Sequence, residues 1–132
     1  MGDSGANRSP WAKAHWVVGL AALVAFLLEG AYMRYGVRVS ELADAPRLIY
    51  RSRFLLLLMA GVANLALAFR NPSGRLAKAA SAVLLIAPAL LVAGFVRDPA
   101  FGVHGGLLTT WTMRGLFAAA LLLAVTNRPP PN

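Results

Sequence analysis

The stretch Ala79 to Val96, AASAVLLIAPALLVAGFV, runs for 18 residues without a charge and is closed by Arg97, Asp98 and Pro99. At 1.5 Å per residue a helix of that length covers about 27 Å, close to the ~30 Å hydrocarbon core of a bilayer. Pro99 has no N–H to offer a further turn, so the helix stops there. Working towards the N-terminus, Phe54 to Phe69 (FLLLLMAGVANLALAF) is another 16 uncharged residues and gains length from Tyr50 to Arg53 at its entrance. The short link Arg70 to Gly74 (RNPSG) carries the turn residues Asn71, Pro72 and Gly74, which makes these two helices antiparallel neighbours.

Two more spans lie further out. Trp16 to Leu28 is uncharged and continues past Glu29 to Tyr35. Leu107 to Val125 is long enough to cross but contains Arg114, which costs ~2.5–3.5 kcal/mol at a helix centre and less off-centre, where the side chain snorkels. The expected spans are 14–35, 50–70, 76–96 and 106–126. Together they predict one all-α domain of 132 residues, an integral membrane four-helix bundle with antiparallel up-and-down topology. Glu29, Tyr32 and Met33 leave no small-residue cleavage site after span one, so it is read as retained. Between spans one and two, Asp44 as N-cap and Pro46 behind it predict a short interfacial helix running into span two. Pro129 to Pro131 reads as a frayed tail.

Composition agrees with this plan. The chain is 58% hydrophobic and 14% charged, against about 45–50% and 25% in soluble domains. Without cysteine it has no disulfide, thiolate metal site or cysteine nucleophile. The net charge of +8 points to nucleic acid or to anionic lipid headgroups. Placement decides for the headgroups, because the arginines gather at span ends and form no stripe interleaved with exposed aromatics. With X the side of the N-terminus and Y the other, X carries Arg8, Lys13, Arg70, Arg75, Lys78 and Arg128, and Y carries Arg34, Arg38, Arg47, Arg51, Arg53 and Arg97. Six against six is a tie under the positive-inside rule. A short unsignalled N-terminus with Arg8 and Lys13 is easier to retain than to translocate, which puts both termini in the cytoplasm.

Inside the spans the polar inventory is short: Glu29, Arg114, Asn64, Ser81, the group Thr109, Thr110 and Thr112, and the helix-breaking Pro88. Glu29 and Arg114 sit ~9 and ~12 Å from the Y end, so they can meet at one level. Ala21, Ala25 and Glu29 recur every fourth position, as do Thr110, Arg114 and Ala118, and as do Ala60, Asn64 and Ala68 with Gly61 beside them. Each polar group thereby shares a face with small residues, where an intramembrane charge hides. Three readings follow for Glu29: an ion pair with Arg114, a side chain snorkelling on its own, or a carboxylate whose proton is exchanged against a substrate. Pro88 leaves the Leu84 carbonyl without its helical donor and predicts a kink. His15 and His104 open spans that start on opposite sides, which excludes a haem held between them and leaves each as an interfacial polar residue. No metal set, cofactor motif, phosphate loop or nucleophile elbow is present, so no cofactor and no enzymatic activity are expected.

The block Arg51 to Arg70 (RSRFLLLLMAGVANLALAFR), with the acidic span end Leu28 to Gly36 (LEGAYMRYG), resembles small four-span membrane proteins of bacteria over roughly a third of the chain. That resemblance implies the bacterial inner membrane and brings no activity with it. In size, span number and the acidic residue of span one the chain is also similar in plan to small multidrug exporters. It departs from them in the position of the carboxylate and in carrying Arg114 inside a span. The function expected is that of a non-enzymatic accessory or assembly component, associating with copies of itself or with another membrane protein. The alternative is a small proton-coupled transporter acting as an oligomer, with Glu29 as the coupling group.

Overall fold

The computed structural model describes residues 9–70, 72, 74–98 and 106–126. The sequence readings at Arg8, Asn71, Pro99, His104, Arg128 and Pro129 to Pro131 lie outside the described residues. Helix α1 (Pro10–Ala31) starts where two local signals coincide. The Ser9 hydroxyl accepts from the Ala12 N–H at 3.2 Å, and Pro10 at the first position has no N–H to leave unpaired. At its far end α1 widens into a π-helical turn, Tyr32–Gly36, closed by the Val37 N–H on the Tyr32 carbonyl at 3.0 Å. After a 3-10 turn at Val39–Glu41, α2 (Asp44–Leu67) starts six residues before the expected span. The expected interfacial helix is thus the first part of α2 itself, and Ala43 rather than Asp44 takes the N-cap position. Helix α3 (Gly74–Arg97) runs through Pro88 as one helix, and α4 (Leu107–Thr126) follows.

All four helices are long and apolar enough to cross a membrane, and they pack as an antiparallel, all-α bundle. Helix α1 lies along α2, and α3 lies along α4. The α2–α3 contact joins the two pairs, with a shorter contact between α1 and α3. Helices α1 and α4 therefore stand on opposite flanks.

Buried positions follow alternating steps of three and four: Ala12, His15, Gly19, Ala22 and Glu29 on α1; Ala77, Ala80, Leu84, Ala87, Leu91 and Gly94 on α3; Thr112, Leu116, Ala119 and Leu123 on α4. This 3.5-residue period is the seam of a left-handed bundle. It corrects two faces drawn from i+4 spacing, since Ala21, Arg114 and Ala118 are exposed while Ala60, Asn64 and Ala68 are buried as expected. Small residues let the backbones approach. A Cβ on Gly61 would lie 3.2 Å from that of Ala22, and one on Gly19 would lie 2.8 Å from the Leu65 side chain. Leu57, Ala60, Leu84 and Leu91 fill the centre of the core.

Candidate functional site

Among the described residues, buried polar side chains form two separate networks and leave one carboxylate alone. The first network begins with Pro88. Its missing N–H frees the Leu84 carbonyl, and Asn64 of α2 supplies the substitute donor, its Nδ2 reaching Leu84 O at 2.8 Å. The same Nδ2 donates to Ala60 O at 2.8 Å, so both amide hydrogens are used and Oδ1 is left to accept. It accepts from His15 Nδ1 at 2.7 Å, and this fixes the tautomer. His15 Nε2 then accepts from the Ser81 hydroxyl. His15 and Asn64 are wholly buried, which corrects the expectation that His15 is an interfacial residue. The sequence placed Asn64 and Ser81 inside the spans, and the structure joins them to His15 so that α1, α2 and α3 are tied together.

The second network lies near the Y end. Arg53 Nη2 and Asp98 Oδ2 are 2.9 Å apart, with the side chains only 5% and 2% exposed. Thr109 bridges the pair, its hydroxyl donating to Asp98 Oδ2 at 2.6 Å and accepting from Arg53 Nε at 3.0 Å. This ties α2, the end of α3 and α4. Arg53 is therefore no headgroup anchor, as the six-to-six count had it, but a core residue. Two glycines make room for it. A Cβ at Gly106 would stand 2.9 Å from Arg53 Nη2, and one at Gly94 would stand 2.5 Å from Thr109 Oγ1 and 3.3 Å from Asp98 Oδ2. Gly94→Ala should therefore destabilise the chain by about 1–3 kcal/mol through overpacking. A thermal melt in detergent checks this, and an unchanged midpoint would mean the corner yields freely.

Of the remaining candidates, Thr110 spends its hydroxyl on the backbone just before its helix, donating to Gly106 O at 2.8 Å, and it joins neither network. Arg114 is exposed on α4 with its guanidinium carbon 5.1 Å from the centroid of the Trp111 ring, an arrangement with cation–π character. It does not pair with Glu29. The two residues stand on opposite flanks, α1 and α4, which removes the ion pair within the chain from the three readings of Glu29. Glu29 is 7% exposed, and both of its carboxylate oxygens are buried without a hydrogen-bond partner among the described residues. It lines a cleft of about 330 Å³ with Leu28, Tyr32, Tyr50, Val92, Phe95 and Val96. Phe95 packs edge-on against Tyr32 and Tyr50, at 6.2 and 5.3 Å between centroids. Leu28, Tyr32 and Val96 are exposed, so the cleft opens outward between α1 and α3. Among the described residues no cluster of His, Asp and Glu is arranged to hold a metal.

Compared with known proteins, the chain matches no family model, no curated protein and no solved structure.

Proposed function

We propose that this chain is a non-enzymatic accessory or assembly component of the bacterial inner membrane, working by association in the bilayer plane, with both termini cytoplasmic. The observation that carries the reading is Glu29. Both polar networks hold helices together and leave only Arg53 Nη1 unused among the described residues, whereas both oxygens of the Glu29 carboxylate are buried with no partner among the described residues, in a cleft those residues do not fill. A buried polar group without a partner lowers stability. Its presence makes sense where an associating molecule completes it. The resemblance of Arg51 to Arg70 to small bacterial four-span proteins supports the placement in the inner membrane. The exposed arginines at helix ends support contact with anionic headgroups.

Glu29→Leu separates stability from function. The isolated chain should unfold no more easily than the parent, because the substitution removes an unpaired polar group. The assembled particle in mild detergent should fall to single-chain mass by light scattering. Assembly that survives the substitution undiminished would remove the basis of the proposal.

The cleft volume also gives the transport reading a foothold. On the X side of Glu29, however, the seam is filled by Ala22, Leu57 and Ala60 and by Phe26 stacked on Phe54 at 4.0 Å between centroids. A proton flux in vesicles that disappears in Glu29→Gln would decide for transport.

A further inference from the structure

We infer that the Glu29 cleft is completed by Arg114 of a second, identically oriented copy of this chain. This rests on the association reading above and names its partner. Glu29 stands seven residues before the end of the π-helical turn at Gly36, and Arg114 stands seven residues after the start of α4 at Leu107. Both lie about 10 Å below the Y ends of their helices. Each side chain leans towards the N-terminus of its own helix, Glu29 towards X and Arg114 towards Y, so to reach the carboxylate the guanidinium leaves the Trp111 ring and turns back towards X. From Glu29 the cleft extends towards Y past Tyr32, Tyr50 and Val96, so a guanidinium arriving from the Y side enters along its length. The cleft volume of about 330 Å³ holds an arginine side chain, and its aromatic rims suit a guanidinium plane.

Arg114 belongs to an outward row on α4, Leu107, Trp111, Arg114, Ala118, Leu121 and Val125, with the same alternating four-three spacing as the internal seams. The row is a ready second packing face. Cleft and row lie on different flanks, so the contact is head-to-tail and propagates around a ring instead of closing as a twofold dimer. A copy inserted the other way up would carry Arg114 at the wrong depth, so the ring also requires one orientation in the membrane.

The chain has no cysteine, which allows a clean cross-linking test. Two differently tagged copies are co-expressed, one with Val96→Cys at the cleft rim and one with Leu107→Cys on the α4 row, and membranes are treated with a short bismaleimide. A cross-linked pair carrying both tags is expected. Its yield should drop about tenfold when Glu29→Leu is placed in the Val96→Cys copy or Arg114→Leu in the Leu107→Cys copy. It should hold when each change is placed in the opposite copy. Equal loss from either placement overturns the inference, as does an absent cross-link between copies whose helicity is intact, or a lipid or other amphiphile retained on a single chain in native mass spectrometry. A multi-chain particle that forms without this cross-link would overturn the Arg114 contact alone and leave the association reading standing. A particle of single-chain mass would overturn both.

Discussion

Asp98→Ala is expected to lower the free energy of unfolding by about 3–5 kcal/mol, the cost of removing one partner from a buried ion pair. The reason lies in what is left behind. Arg53 is almost wholly enclosed, its Nη1 already lacks a partner, and Asp98 Oδ2 is the acceptor for its Nη2. Thr109 loses its acceptor in the same step. Removing both charges should hurt less than removing one, so the double change Arg53→Met with Asp98→Leu is expected to recover more than half of the loss. Reversible unfolding in mixed micelles, followed by circular dichroism, measures all three variants. Strictly additive losses would mean that the guanidinium finds other partners once the carboxylate is gone.

The spans could be read from the sequence because each is a long apolar run, a signal that depends on composition and not on the exact face. The faces were harder to read. Steps of four advance the helix by about 40° each, so Ala21, Ala25 and Glu29 drift off a common line, whereas alternating threes and fours return to it. Along that alternating line Asp98 follows Ala77, Leu84 and Leu91 at intervals of seven, and Arg53 precedes Leu57, Ala60 and Asn64 on the buried face of α2. A charge on an apolar heptad line is the signal that marks both residues as core. Counting them as span-end charges hides it, because position along the chain says nothing about direction around the helix. His15 was missed for the same reason: its place near the start of α1 suggested an interface, but it shares its line with Gly19, Ala22 and Glu29. The partnerless state of Glu29 was not legible at all. It depends on which flank α4 takes, and no local pattern sets that.

The second large effect is expected at Asn64, and Pro88 explains its size. Asn64→Leu removes the donor to Leu84 O and the acceptor of His15 Nδ1, leaving two buried polar groups unpaired. At about 1–3 kcal/mol for each group the total is about 2–6 kcal/mol, with the lower part favoured because hydrogen bonds in lipid average less. Ala60 O loses little, since it keeps the backbone N–H of residue 64 as its helical donor. Half of this cost exists only because residue 88 is proline. In a Pro88→Ala background the N–H restored at 88 reaches Leu84 O along the helix, so only the His15 contact remains to be lost. Asn64→Leu should therefore cost at least about 0.5–1 kcal/mol less there than in the parent, a coupling that a double-mutant cycle on detergent-solubilised protein can resolve. Two substitutions on different helices, α2 and α3, should not interact unless the proline created the vacancy that the asparagine fills. An additive cycle would show that Leu84 O is satisfied some other way, and that Asn64 serves His15 alone.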